Sequence, residues 1–261
     1  MKFGPHYLPI LMYHQILPKS NPHFSKHIAV SPENFREQVQ YLIDHGFTIK
    51  TVKEYFSHPD PFSQGKCALL TFDDVSSSFV EYGKPVLDSL KVKGSVFPIK
   101  NMSFDQKYYN LSADGISPLN EKDLRALHDE GFELGSHGLS HRNLHKISFE
   151  EVKLELSESK TWLDGITGLP TQTVCYPIGG IDKDIMEFSQ GLGYTNGLST
   201  LKGSLQFKQD RMSLRRVDIK NNVVGKKLDS HISHFYGFRR FITRPFRAKY
   251  RVDFRHPDMA S

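Results

Sequence analysis

Two adjacent carboxylates, Asp73 and Asp74, close the apolar run Cys67-Ala68-Leu69-Leu70-Thr71-Phe72, and a His137-x-x-x-His141 pair follows later in the chain. The run reads as a buried strand. Its end is a poor place for two negative charges, because neighbouring carboxylates repel and desolvation penalises both. A positive group is required there. On a helical turn, His137 and His141 would lie on one face and reach one metal. Two histidines and one carboxylate, supplied by Asp74, with an open position for water, make a catalytic zinc set. The plainer readings are a strand end turning into solvent, with Asp74 capping the next helix, and surface histidines at a helix N-terminus.

The elements that must position these groups alternate along the chain. Strands are predicted over 8–13, 47–49, 67–72, 95–99, 132–136, 173–176, 194–198 and 214–219. Between them, Ser31-Pro32-Glu33 opens a helix with an N-cap, a proline at the first helical position and an acid in the first turn. Thr51 caps a short helix, and residues 79–90 read as a helix that Pro85 must distort. Asn120 and Asp182 cap two more, and Ser148 with Glu151 forms a capping box. Residues 100–119 form a long polar loop of the kind that is usually functional or mobile. This alternation predicts an α/β fold with a mostly parallel sheet, closed or nearly closed by helices. In such barrels chemistry sits at the C-terminal ends of the strands. His14, Asp73, Asp74, His137 and the segment after Tyr176 all fall at such ends.

The 261 residues, 38% hydrophobic and 24% charged, suit a globular chain with room for one large barrel. No apolar run approaches the ~20 residues of a membrane helix, and the N-terminus does not read as a signal peptide. A cytoplasmic location is expected. Cys67 and Cys175 are too far apart for a zinc-ribbon pattern and read as buried packing residues. Charge is uneven: residues 202–261 hold 15 Lys/Arg against five Asp, a net of +10, whereas residues 1–201 carry a net of −5. Two domains are expected, a catalytic unit over 1–222 and a basic, aromatic extension over 223–261. The stretch 236–247 mixes Arg with Tyr and Phe, which predicts peripheral contact with an anionic membrane surface at its inner face. A solvated basic tail is the alternative. No nucleic-acid-binding motif accompanies the charge, so no nucleic acid partner is expected.

Thr71-Phe72-Asp73-Asp74 followed by Ser136-His137-x-x-x-His141 resembles the polysaccharide deacetylases, the NodB-homology family-four carbohydrate esterases. The resemblance covers about residues 8–219. It implies a distorted or incomplete (β/α) barrel of the NodB type and metal-dependent removal of acetyl groups from an N-acetylated glycan. The cofactor it implies is one divalent ion, zinc first, with cobalt or nickel as alternatives. By the same resemblance Asp73 is the general base, and Asp74, His137 and His141 are metal ligands. Val174-Cys175-Tyr176-Pro177-Ile178-Gly179 is similar to the third family motif, with the Ile178 N–H directed at the oxyanion. Leu11-Met12-Tyr13-His14 resembles the opening strand of the poly-N-acetylglucosamine deacetylase subgroup, which makes His14 the catalytic acid. His231 and His234 are the rival acids.

The sequence departs from the family where the usual Gly after Asp-Asp is Val75. Cys175 replaces an Arg, which predicts loss of the charge that elsewhere orients the base. No Asp-x-x-Asp-Trp occurs, and the one tryptophan, Trp162, sits on a predicted helix. The competing functional readings are a catalytically silent glycan-binding protein on the same scaffold and a basic surface-binding platform.

Overall fold

A computed structural model describes residues 6–101 and 116–233. Eight parallel strands form its main sheet: β1 (Ile10–Tyr13), β2 (Thr48–Lys50), β3 (Cys67–Asp73), β4 (Ser95–Phe97), β5 (Glu133–Leu134), β6 (Thr173–Cys175), β7 (Asn196–Lys202) and β8 (Leu214–Asp218). Seven of them run in the order β5-β4-β3-β1-β8-β7-β6, and β2 pairs with the first half of β3. One parallel bridge, Ser136 to Val174, joins the two edges. The result is the expected (β/α) barrel, nearly closed and held at its seam by a single rung. The two-residue pairs His6–Tyr7 with Leu205–Gln206 and Gln15–Ile16 with Ala29–Val30 lie apart from this sheet.

The period of two along each strand sorts its residues between two cores. Ala68, Leu70 and Phe72 of β3 pack into the larger apolar cluster, which includes residues of the outer helices. Cys67 and Leu69 join a second cluster with Ile10, Phe97, Cys175, Leu198 and Leu214, which fills the barrel. Two residues further along the same inward face come Thr71 and then Asp73. The same parity in β8 carries Leu214 and then Arg216 inward.

Helix signals in the sequence correspond to observed helices. α1 (Pro32–Asp44) accepts its Ser31 cap, and α2 (Val52–Phe56) has a full Thr51–Glu54 capping box. Pro85 falls in the first turn of α3 (Lys84–Ser89), behind a π-helical turn at Phe79–Gly83, so the expected distortion is a change of helix type. α4 (Glu121–Asp129), α5 (Phe149–Thr167) and α6 (Lys183–Gly191) start at Asn120, Ser148 and Asp182. Trp162 of α5 packs on the larger core and donates to Glu121 Oε1 of α4 at 2.8 Å, a helix–helix contact. In α7 (Lys226–Ile232), Leu228 and Ile232 are buried in the same core as Val223. The described start of the expected extension therefore packs on the barrel. Most of that extension, including 236–247, and most of the long loop after β4 lie outside the described residues. Among the described residues no helix is long and apolar enough to cross a membrane.

The seam has little room for substitution. A Cβ on Gly135, between β5 and the Ser136 bridge, would stand 2.3 Å from Phe97 Cε1 and 3.0 Å from the Thr173 carbonyl. Gly135→Ala is expected to destabilise the protein by about 1–3 kcal/mol through overpacking, measured as a lower midpoint in urea unfolding. An unchanged midpoint would mean that the seam is looser than its contacts indicate.

Candidate active site

Asp73 ends β3 with its side chain in the barrel mouth, and it meets a cation that the sequence reading did not identify. Arg216 Nη1 and Nη2 donate to Asp73 Oδ1 and Oδ2 at 2.7 and 2.8 Å, a bidentate pair in which both side chains are buried. The guanidinium also donates to the Ser199 carbonyl at 2.9 Å, to Thr71 Oγ1 at 3.2 Å and to Cys175 Sγ at 3.2 Å. Burial by itself would raise Asp73. Arg216 foremost, then His137 and His14, outweigh it and hold the carboxyl below its ordinary range. Burial raises the Cys175 thiol, so it meets the guanidinium as a neutral group.

The expectation that Cys175 removes the orienting charge is therefore corrected. The charge is kept, but it comes from β8 instead of β6. The signal was present in Leu214-Arg215-Arg216-Val217. With Leu214 inside the barrel, strand parity puts Arg216 inside as well, and a buried guanidinium demands a carboxylate.

Asp74 follows in the left-handed region, φ 53°. Its Oδ1 lies 3.3 Å from His137 Nε2 and 3.4 Å from His141 Nε2. The three donor atoms lie within 4.8 Å of one another. In a tetrahedral site with bonds of about 2.0–2.1 Å, neighbouring donors stand about 3.3–3.4 Å apart, so this spacing fits a small divalent cation. The histidine chemistry fits too. His137 Nδ1 lies 2.6 Å from the Cys175 carbonyl. A carbonyl can only accept, so Nδ1 carries the proton and the Nε2 lone pair is left for the ion. Burial lowers His141, which keeps it neutral and able to ligate. Burial raises Asp74 by itself, but the His137 hydrogen bond and the two imidazoles outweigh it and leave it ionised.

The His-x-x-x-His segment is not a helical turn, as the spacing alone had predicted. Residues 137–141 are irregular, with Gly138 at φ 74° and His141 at φ 58°. The two rings converge because the loop turns back on itself; their centroids are 5.0 Å apart. Asp74, His141 and Ile178 are three of the four non-glycine residues with positive φ among the described residues. Such conformations cost on the order of 1 kcal/mol or more each and cluster where a site dictates the backbone.

Val75 is also accounted for. The left-handed residue of this turn is Asp74, so the position after it needs no glycine. The Val75 side chain is buried in the larger core.

His14 directly follows β1 and is half-buried. It is an electrostatic neighbour of Asp73, Asp74 and His141, beside the same cluster. Tyr176 is fully buried in a third apolar cluster, so it supports the following turn from beneath. Pro177 begins that 3-10 turn, and Ile178 is 60% exposed at φ 59°. The N–H groups of Gly179 and Gly180 are used within the turn, on the Tyr176 and Pro177 carbonyls. His231 lies on α7 with its ring 2.7 Å from the Lys227 carbonyl of its own helix. His234 lies outside the described residues.

Fold and site together define a parallel (β/α) barrel whose C-terminal mouth holds a donor set fit for a metal beside a guanidinium-clamped carboxylate. The polysaccharide deacetylase family model matches residues 62–197, and the chain belongs to that family. It is 26% identical over 230 residues to YxkH of Bacillus subtilis (strain 168), whose name assigns it to the polysaccharide deacetylases; the match covers 87% of this chain and 77% of that protein. It is 21% identical over 207 residues to the poly-β-1,6-N-acetyl-D-glucosamine N-deacetylase of Staphylococcus epidermidis, covering 76% of this chain and 70% of that one. Among solved structures, the Streptococcus pyogenes deacetylase PplD in complex with acetate superposes with a TM-score of 0.75 at 24% identity, covering 88% and 99% of the two chains.

Proposed function

We propose that this chain is a metal-dependent deacetylase. It hydrolyses N-acetyl groups on N-acetylhexosamine units of a glycan or glycan precursor and releases acetate. The observation that carries this reading is the pairing of a buried, Arg216-clamped Asp73 with the Asp74–His137–His141 donor set. The likeness to a poly-β-1,6-N-acetyl-D-glucosamine N-deacetylase supports the N-acetyl sugar as substrate class.

Asp74, His137 and His141 would hold the ion, zinc by donor type. When bound, it supplies Lewis acidity, which polarises the acetyl carbonyl and makes a neighbouring water easier to deprotonate. Asp73 takes that proton. Arg216 keeps the carboxylate ionised and fixes the direction of its lone pairs. The Ile178 N–H donates to the developing oxyanion. His14 protonates the sugar nitrogen as the C–N bond breaks, so that a neutral amine leaves instead of an anion. A silent glycan-binding role needs neither the clamped carboxylate nor the donor set.

Acetate release from N-acetylglucosamine oligomers, with and without a chelator, tests the function. In the same assay His14→Ala is expected to lower kcat by roughly 10²–10⁴, and His231→Ala to change it by less than about twofold. The reverse pattern would reassign the acid. No acetate release from any N-acetylhexosamine glycan by the metal-loaded protein would sink the enzymatic reading itself.

A further inference from the structure

Among the described residues, the buried carboxylate of Glu155, on the inner face of α5, has no part in the chemistry above. Its Oε2 accepts the Leu139 N–H at 2.8 Å and the Ser140 N–H at 2.9 Å, and its Oε1 accepts the Ser140 hydroxyl. One turn further along α5, Ser159 Oγ lies 2.6 Å from Ser136 Oγ. The Ser136 hydroxyl in turn accepts the Gly138 N–H at 3.3 Å. Gly138 passes so close that a Cβ there would stand 3.0 Å from Glu155 Oε2. The loop between the two histidines is thus stapled to α5 by an acceptor that collects three donors.

We propose that Glu155 is a positioning residue that holds His141 in its metal-ligating pose. This rests on the metal reading above. The two histidines are anchored differently. His137 is fixed by the Cys175 carbonyl of β6. The His141 ring meets Asp74 Oδ1 through Nε2 at 3.4 Å, and its backbone sits at φ 58°. That conformation persists only if the neighbouring residues are over-determined, and Glu155 binds the two residues immediately before His141. A glutamine of the same shape keeps one oxygen for the two N–H groups but replaces the carboxylate by a weaker amide acceptor, and it turns its N–H₂ to the Ser140 oxygen, whose hydroxyl must rotate away.

The test is titration of metal-free protein with Zn2+ and Co2+, together with the visible absorption of the Co2+ form. Glu155→Gln is expected to weaken both ions by roughly 10–100-fold and to change the cobalt spectrum, because one imidazole is withdrawn from the coordination sphere. Ser140→Ala, which deletes a single donor and leaves the carboxylate, is expected to weaken binding by roughly fivefold with the spectrum retained. It decides the matter if Glu155→Gln does not fold. Wild-type affinity and spectrum in both variants would overturn the role of Glu155 alone. A wild-type protein that takes up neither ion would overturn the metal reading, and this inference with it.

Discussion

Arg216→Ala is expected to lower kcat for acetate release by roughly 10²–10³, as a lost preorganised hydrogen-bonding group does, while the protein still takes up its metal ion. The guanidinium gives Asp73 two hydrogen bonds at 2.7 and 2.8 Å inside a buried site. Its removal leaves a carboxylate in a desolvated pocket with one fewer cation, and the proton returns to it. The sign of the pH effect follows. In the wild type, burial raises Asp73 but Arg216 outweighs it, so the carboxylate stays ionised below its ordinary range. Without Arg216 the raising influence is relieved of its main opponent, and the acid limb of the kcat/KM profile moves to higher pH. The same pair supports the fold above the unfolded carboxyl pKa of about 3.9, and that support is lost as pH falls through the depressed folded value. Breaking a buried pair of this kind costs about 3–5 kcal/mol, so the variant should also melt earlier.

A second substitution separates charge from packing. Cys175 Sγ lies 3.2 Å from Arg216 Nη2. Cys175→Arg in the Arg216→Ala background moves the guanidinium from β8 to β6. It is expected to recover roughly tenfold in kcat and to return the acid limb towards lower pH. An Arg216→Ala enzyme with a wild-type profile would remove Asp73 and Arg216 from the mechanism as a unit.

Asp74→Asn is expected to abolish tight metal binding and to reduce acetate release by at least roughly 10³-fold. Asp74 is the one carboxylate in the donor set, with Oδ1 between two imidazole nitrogens at 3.3 and 3.4 Å. An asparagine keeps the shape but lacks the negative charge that offsets a dication's loss of hydration. The wild type should be silenced by a chelator and restored by added Zn2+, with no restoration in the variant. A proton count adds an independent readout. Burial works against a charged His137, yet the Asp74 carboxylate and the Cys175 carbonyl on its Nδ1 favour the charge and raise its proton affinity well above the ordinary value. In the metal-free protein that proton occupies the ligand nitrogen, and the cation must displace it. Metal uptake should therefore release a proton at neutral pH, and affinity should fall as pH is lowered. Calorimetry in buffers of different ionisation enthalpy measures the proton directly. Retained stoichiometric zinc in Asp74→Asn would assign the ion to other ligands.

Much of the site could be read in the chain because its determinants are local. Caps such as Ser31, Thr51 and Ser148 satisfy N–H groups within a few residues. The run Cys67–Phe72 is apolar because both faces of β3 are buried, one in each core. The alternation of such strands with capped helices is enough to call for a parallel barrel, and the placing of Asp73, Asp74 and His137 at strand ends follows from the barrel. The requirement for a positive charge at the Asp pair also followed from electrostatics alone.

What local pattern could not supply is which partner meets that requirement. The chain offers two histidines that could share a metal with Asp74, and a guanidinium for Asp73. The second comes from β8, which shares β1 as a neighbour with β3 only once the sheet is wound. The His-x-x-x-His spacing suggested a helix, whereas the loop is shaped by Glu155 from the next helix and by the left-handed Gly138 and His141. The turn that a glycine was expected to ease is made by Asp74 itself, and Val75 goes to the core. Residue type and short-range spacing thus determined the reaction centre's components and the fold that gathers them. Only tertiary structure decided their pairing, because a buried charge takes whichever counter-charge the closed barrel brings within hydrogen-bonding distance, regardless of its distance along the sequence.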